Sequence, residues 1–332
     1  MSKRKEYNFT QKIQSRLKGF KTCLQESGNS ENTIRQKSNY AGYFLTWLEA
    51  ENLTPEEARY NDILNFIDHC HLEEKSKRHI NRKLCSVRAY YEYLKRETPE
   101  LVNPAAGLFL KGTGKKLPSG IISFKRLEQL YHECPANDTR TKRNKVILGL
   151  LVYQGVTTEE LKQLEVSHVK LKAGKIHIPG GRRRNSRTLK LRPFQILELH
   201  EYLNKTRPKI LTEISVPKPA RRPNQVDMAK LREQLFISIN GSENIKNSLL
   251  HMFRNVRKEN PDILSPKQIR ASVITHWLKE YNLRQVQYFA GHKYVSSTER
   301  YQLNHLDNLQ KKLEKFHPLE QIGGHNLRPP IG

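Results

Sequence analysis

The sequence predicts a mainly α-helical protein with a small β-sheet (an α+β fold), divided into two domains. The chain has 332 residues, more than a single hydrophobic core usually accommodates. Through most of its length apolar residues recur every three or four positions, which is the spacing of amphipathic helices. One segment, KIHIPGGRRRNSRTLKL, instead alternates apolar and polar residues on both sides of Gly180 and Gly181, and this predicts a hairpin of two short strands.

The charge of the chain indicates a polyanionic partner. Lys and Arg number 59 against 33 Asp and Glu, which gives a formal net charge of +26. The basic residues are spread through the helical segments and the hairpin, so they can follow a phosphate backbone and release its counterions. A ribosomal or membrane-surface protein would share this composition, and the charge alone does not separate these classes.

Residues 1–110 are predicted to form a helical, DNA-binding domain. Ser30 suits the N-cap of one helix, and a second helix spans KSKRHINRKLCSVRAYYEYLKRE. Acidic residues are nearly absent between Lys75 and Arg88, so the basic face of this second helix is expected to contact DNA. An ordinary solvated charged face is the alternative. The predicted DNA-contacting residues on this helix are Lys77, Arg78, Arg82, Lys83 and Arg88.

The rest of the chain is predicted to contain a linker, a second domain and a tail. Residues 111–120 are rich in Gly, Lys and Pro without periodicity, which indicates a linker. We expect its basic Lys115 and Lys116 to contact DNA. The second domain covers residues 121–317 and ends in a helix with an apolar stripe. That stripe needs a groove, either in the same chain or on a neighbouring protomer. Residues 318–332 form the tail.

Neither a secreted protein nor a metalloprotein is expected. The amino-terminal segment has no apolar run typical of a signal peptide, and no window is long enough to cross a membrane. Four dispersed cysteines do not make a disulfide framework. Adjacent residues on a helix point in different directions, so His69, Cys70 and His71 are read as structural, with Cys70 in the core. We expect a cytoplasmic protein that associates with the nucleoid.

The carboxy-terminal part of the chain carries residues that can bind and attack a phosphate. Arginine presents a planar fork of donors to two phosphate oxygens, and Arg270 lies in KQIRASVITHWL, where Ser265, Pro266 and Gln268 mark a helix start. Lys267 shares a face with Arg270. His292 adds a donor, and Tyr301 supplies a hydroxyl that becomes nucleophilic beside cations.

Two segments, KQIRASVITHWL and FAGHKYVSSTERY, resemble the active site of the tyrosine recombinases, the phage-integrase type of DNA-joining enzymes. The resemblance implies a two-domain, C-shaped clamp that closes around the duplex. It also implies that Tyr301 attacks the scissile phosphate, while Arg270 and His292 hold it, and forms a 3′-phosphotyrosyl link. That link conserves the ester energy, so no ATP, metal or other cofactor is required. Lys267 stands where the family usually has a histidine.

The hairpin occupies the region where the family has a catalytic lysine that protonates the leaving 5′ oxygen. Arg182 is nearest to that position, although arginine is a poor proton donor because its guanidinium holds its proton too tightly. Contact with the DNA backbone is an equally open reading for Arg182. The neighbouring Arg183, Arg184 and Arg187 are predicted to contact DNA.

One segment departs from the family. LLVYQGVTTEELKQLEV resembles the first catalytic box, but Thr157 replaces its arginine. Thr157 and Glu160 form a capping-box pattern, so the helix start is kept while one arm of the phosphate clamp is lost. Loss of one such donor typically costs about 10²- to 10³-fold in rate. Either one of the arginines 182–184 compensates, or the enzyme is slow or inactive.

Taken together, the resemblance implies a site-specific recombinase or integrase of a mobile element. It would act on double-stranded DNA as a homotetramer, with accessory DNA-bending proteins and an exchanged carboxy-terminal helix. A cellular resolvase of replicon dimers would carry the same motifs. The alternative from another class is a weakened or inactive recombinase-derived DNA-binding protein, which Thr157 favours. A general nucleic-acid chaperone is a third candidate, distinguished by binding without site preference.

Overall fold

The computed structural model describes residues 9–112, 120–215, 227–242 and 244–302. These residues are mostly helical and include a three-stranded sheet, which confirms the predicted fold class. The chain divides into two compact units, Met1–Lys115 and Lys116–Gly332, and the division falls inside the predicted linker. Several predictions lie outside the described residues: the DNA contacts of Lys115 and Lys116 in the linker, the terminal helix with the apolar stripe, and the tail.

The first unit is a bundle of helices with an aromatic core. Ser30 caps the second helix by accepting from the Thr33 amide at 3.4 Å, as predicted. Phe44 and Phe66 meet edge to face in the core with ring centroids 5.0 Å apart, and Cys70 is fully buried beside them. The helices are α1 (Gln11–Glu26), α2 (Glu31–Ala50), α3 (Tyr60–Leu72) and α4 (Lys77–Glu97).

The basic face of α4 is only partly as predicted. Lys77, Arg78 and Arg82 are exposed, whereas Arg88 is half-buried and donates to a backbone carbonyl. Lys83 is only 2% exposed, and its ammonium lies 3.3 Å from the ring centroid of Tyr43. The predicted DNA contact of Lys83 is therefore wrong, because its charge is buried against an aromatic ring and cannot reach a duplex.

The second unit is built around one apolar helix. The apolar segment VILGLLVY lies in helix α6 (Thr139–Tyr153), where Leu148 and Leu150 are fully buried, and this helix packs against other helices of the unit. The helices of this unit are α5 (Phe124–Glu133), α6 (Thr139–Tyr153), α7 (Thr158–Gln163), α8 (Pro193–Glu201), α9 (Arg207–Ser215), α10 (Met228–Glu233), α11 (Lys246–Glu259), α12 (Pro266–Glu280) and α13 (Leu283–Ala290).

The predicted hairpin is present and extends into a sheet of three strands. Strands β2 (Lys175–Ile178) and β3 (Arg187–Lys190) pair antiparallel, with Ile178 opposite Arg187. A short strand that the sequence did not reveal, β1 (Val169–Lys170), pairs with the other edge of β2. Residues 179–186 connect β2 to β3 and carry the predicted arginines toward the carboxy-terminal part of the unit.

Among the described residues, no helix is both long enough and apolar enough to cross a bilayer. Within the same ranges, no three His, Cys, Asp or Glu side chains gather closely enough to hold a metal ion.

Candidate active site

Helix α12 positions Arg270 one turn inside its amino-terminal end. Ser265 caps the helix by accepting from the Gln268 amide at 3.3 Å, and Pro266 occupies the first turn, as predicted. Gln268, which the sequence placed at the helix start, accepts through its side chain from the Leu264 amide at 2.6 Å and so does not complete a capping box with the Ser265 amide. The helix start is nevertheless well defined, and it fixes where Arg270 leaves the backbone.

Arg270 is held rigidly in the interior of the unit. Its guanidinium donates to the carbonyl of Gly155, to the carbonyl of Ala290 at 2.6 Å and to His292 Nε2 at 3.2 Å, and only 8% of the residue is exposed. Burial lowers the pKa of Arg270 to about 10, so it keeps its charge at neutral pH. Two backbone carbonyls thus orient a permanent cation in a mostly dry site.

A left-handed glycine brings His292 back toward Arg270. Gly291 ends α13 with a φ of 65°, a conformation that favours glycine. His292 Nδ1 lies 2.9 Å from Thr298 Oγ1. Because arginine can only donate, Nε2 accepts from Arg270 and the ring proton resides on Nδ1. Burial and the charge of Arg270 lower the pKa of His292 to about 4, so the imidazole is neutral.

Tyr301 lies beside His292. Residues 296–302 are helical, and they carry the half-buried Tyr301 onto an apolar cluster around Val286. The rings of Tyr301 and His292 are nearly parallel, at 13°, with centroids 6.1 Å apart. The Tyr301 phenol is also close enough to Arg270 to raise the pKa of Arg270 slightly, against the larger effect of burial. The three residues predicted to form the catalytic centre therefore come together from separate segments.

Glu160, which the sequence indicated only as part of a helix cap, is a buried carboxylate surrounded by Arg184, Arg187 and Arg270. Glu160 is 2% exposed, and its Oε1 accepts from Arg187 at 2.6 Å. Its Oε2 lies 3.6 Å from Arg184 and 3.9 Å from Arg270. Burial opposes ionisation, but the hydrogen bond and charge of Arg187, with help from Arg270, outweigh it and lower the pKa of Glu160 to about 2.

Thr157 begins α7 where the first catalytic arginine was expected. The predicted capping box is confirmed, because the Glu160 amide donates to Thr157 Oγ1 at 3.2 Å and the Thr157 amide donates to Glu160 Oε2 at 2.7 Å. Arg184 also donates from Nη1 to Thr157 Oγ1. A guanidinium thus lies next to residue 157 even though that residue is not an arginine.

The remaining predicted residues fall into two groups. Arg187 was predicted to contact DNA, but its side chain is 0% exposed and pairs with Glu160, so that prediction is wrong. Lys267, Arg182 and Arg183 are exposed, and within the described ranges none of their side chains has a hydrogen bond or ion pair. These three are free to approach a ligand from the solvent side.

The sequence matches two family models that together cover both units. Residues 121–308 match the phage integrase family, and residues 17–98 match the phage integrase N-terminal SAM-like domain. Among curated relatives, tyrosine recombinase XerC of Oceanobacillus iheyensis is 26% identical over 301 residues, covering 88% of this chain and 92% of that protein. Tyrosine recombinase XerD of Listeria innocua is 26% identical over 301 residues, covering 88% and 95%.

Solved structures share the fold at lower identity. The XerH site-specific recombinase bound to a palindromic difH substrate superposes with a TM-score of 0.64 at 18% identity, covering 86% of this chain and 80% of that one. The Tn1549 transposon integrase in complex with transposon right end DNA gives 0.59 at 13% identity, covering 86% and 94%. With a family model matching more than half of its length, the chain belongs to the phage integrase family of tyrosine recombinases, enzymes that cut and rejoin DNA at specific sites.

Proposed function

We propose that Tyr301 is the nucleophile with which this recombinase cuts DNA, and that Arg270 and His292 hold the scissile phosphate. The observation that carries the proposal is the meeting of these three side chains in one half-buried site, although α12, the turn after α13 and residues 296–302 supply them separately. A phenol attacks a phosphodiester only where positive charge stabilises the oxygen as it reacts, and Arg270 provides that charge.

His292 needs a hydrogen on Nε2 in order to donate to a phosphate oxygen. In the DNA-free arrangement that nitrogen accepts from Arg270, while Nδ1 carries the proton and faces Thr298. The hydroxyl of Thr298 can donate as well as accept, so it can serve either tautomer. We propose that the proton moves to Nε2 when a phosphate takes over the Arg270 donors, and that Thr298 then donates to Nδ1.

The reaction is an in-line exchange of one ester for another. The Tyr301 oxygen bonds to phosphorus, the bond from phosphorus to the 5′ oxygen breaks, and that oxygen takes up a proton while the phenol gives one up. Lys267 and Arg182 are exposed and can approach from the solvent side. Of the two, we propose Lys267 as the proton donor, because an ammonium gives up a proton more readily than a guanidinium.

The biological role that we propose is integration or excision of a mobile element by a tetramer bound to double-stranded DNA, with accessory DNA-bending proteins, at the nucleoid. A net charge of +26 supports strong binding to the phosphate backbone. One solved structure that shares the fold is a transposon integrase in complex with transposon right end DNA, which is compatible with this role. We propose that DNA is contacted by four exposed residues and by two that lie outside the described ranges. The exposed ones are Lys77, Arg78, Arg82 and Arg183, and the other two are Lys115 and Lys116.

Suicide substrates test the nucleophile directly. Nicked duplexes tiled across the DNA that flanks the gene lose a short fragment when cut, so the covalent intermediate accumulates and is counted on a denaturing gel. The wild type should form an adduct on one duplex, and Tyr301→Phe should abolish it. Tyr294→Phe is the matched control, because Tyr294 is 64% exposed and lies one short segment earlier. An adduct that persists in Tyr301→Phe, or none on any duplex, contradicts the proposal.

A weakened or inactive DNA-binding protein is the second candidate, and Thr157 is the observation that favours it. The same experiment separates the two functions, because such a protein would retard the duplexes in a native gel without forming any covalent adduct.

A further inference from the structure

The hydroxyl of Thr157 is the meeting point of two groups from distant parts of the second unit. It accepts from Arg184 Nη1, which comes from the hairpin 27 residues later, and it lies 2.9 Å from Glu160 Oε2, to which it donates. Thr157 thus links a guanidinium to a buried carboxylate. A valine would have the same shape but could make neither bond.

The backbone around Arg184 is anchored beside His292. Arg184 and His292 form an antiparallel bridge, and the Asn185 amide donates to the Gly291 carbonyl at 3.0 Å. Arg182 and Arg183, at the tip of the same turn, are exposed and, within the described ranges, have no side-chain partner. Among the arginines 182–184, which the sequence offered as replacements for the missing arginine, only Arg184 is held toward the site.

The charges at this site do not balance. Glu160 is one carboxylate facing three guanidinium groups, those of Arg184, Arg187 and Arg270. Arg187 Nε and Nη2 are buried and, among the described residues, have no hydrogen-bond partner. Buried cations that outnumber their counterions are costly, so this arrangement favours an added anion. A phosphodiester supplies one negative charge and several acceptor oxygens.

Of the three arginines, Arg184 has the side chain that is most accessible to such an anion from the solvent. Its side chain is 30% exposed, against 0% for Arg187 and 9% for Arg270. We propose that Arg184, held by Thr157, replaces the family's first arginine as one arm of the clamp on the scissile phosphate. The guanidinium that the family supplies from the position of Thr157 would then come from Arg184 in the hairpin, while Thr157 keeps its hydroxyl in the helix cap. This proposal rests on the proposed attack by Tyr301.

The test measures the rate of adduct formation on the suicide duplex at saturating protein, so that weaker DNA binding does not contribute. Arg184→Ala should slow the reaction about 10²- to 10³-fold, the usual effect of removing one charge-stabilising donor. Arg254→Ala, which removes an exposed arginine of α11, should react like the wild type. Thr157→Ser should keep most of the rate and Thr157→Val should lose it.

Rescue separates a role in chemistry from a role in folding. Thr157→Arg introduced into Arg184→Ala should restore much of the rate, and so should free guanidinium ion added to Arg184→Ala at concentrations that leave the melting temperature unchanged. Wild-type speed in Arg184→Ala overturns the proposal, and so does a slow, folded Arg184→Ala that neither treatment rescues. If the wild type itself forms no adduct, that result would instead contradict the proposed role of Tyr301 as the nucleophile.

Discussion

Glu160 should stabilise the second unit by an amount that can be calculated from its pKa. Its pKa falls from 4.5 to about 2 on folding, and each pKa unit is worth about 1.4 kcal/mol, so ionisation of Glu160 contributes about 3 kcal/mol at neutral pH. Breaking a buried ion pair typically costs a similar amount, about 3–5 kcal/mol. Glu160→Gln removes the charge, keeps the shape, and leaves Arg187 buried without its partner.

The sign of the pH dependence follows from the direction of the shift. Because the pKa of Glu160 is lowered by folding, its contribution is complete above the unfolded value of 4.5 and is lost as pH falls toward about 2. The stability difference between wild type and Glu160→Gln should therefore be about 3 kcal/mol at pH 7 and should shrink steadily below pH 4.5. An uncharged glutamine contributes nothing to this titration.

The two tryptophans of the chain make the assay specific to one unit. Trp47 lies in the first unit and Trp277 in the second, so a Trp47→Phe background leaves Trp277 as the reporter of the unit that contains Glu160. Urea unfolding is followed by its fluorescence for wild type, Glu160→Gln and a control, Glu159→Gln. Glu159 is 63% exposed and forms only a surface pair with Lys162, so the control should change stability by less than about 0.5 kcal/mol.

Two results would refute this reasoning. One is a Glu160→Gln variant that is as stable at pH 7 as the Glu159→Gln control, which would mean that the buried carboxylate does not balance the arginines. The other is a stability difference that stays constant from pH 7 to well below 4.5, which would mean that Glu160 does not titrate with a lowered pKa.

Three further predictions concern the turn at Gly291, the titration of His292 and the basic face of α4. Gly291→Ala should destabilise the second unit by about 1–3 kcal/mol in urea unfolding, because φ is 65° and a Cβ would lie 2.5 Å from Arg187 Nη1; unchanged stability would contradict this. In the DNA-free protein the His292 imidazole should show no titration near pH 6.5 by NMR, because burial and Arg270 lower its pKa to about 4; a midpoint near 6.5 would mean that the imidazole titrates normally. Arg82→Ala should reduce the salt dependence of DNA binding by about one ion, and the buried Lys83→Met should not; equal losses measured by fluorescence anisotropy would restore Lys83 to the interface.

Local signals in the sequence were sufficient for the helix starts, and the family resemblance singled out the three residues that the structure brings together. Ser265 and Pro266 mark the beginning of α12, and the glycine before His292 marks the end of α13, because caps and left-handed turns depend on residues close together in the chain. The burial of Lys83 was also readable in principle. It lies three residues after Ile80 and four before Val87, which places it on the apolar stripe of α4.

The sequence could not show which hairpin arginine turns inward. Arg182 was nearest to the family's lysine by position, whereas the structure turns Arg184 toward Thr157 and buries Arg187 against Glu160. These outcomes depend on the register of a turn and on contacts across 27 residues, and periodicity carries no information about either. The central position of Glu160 is a long-range effect of the same kind, hidden behind its local role in the helix cap.

The identity of the residue that carries DNA tests the central claim most directly. After nuclease digestion of the adduct, trypsin separates the two candidate tyrosines, because cleavage after Lys293 and Arg300 leaves Tyr294 at the start of YVSSTER and Tyr301 at the start of YQLNHLDNLQK. Mass spectrometry should find the added nucleotide on Tyr301 in the second peptide. Its presence on the first peptide, or on any other part of the chain, would contradict the account.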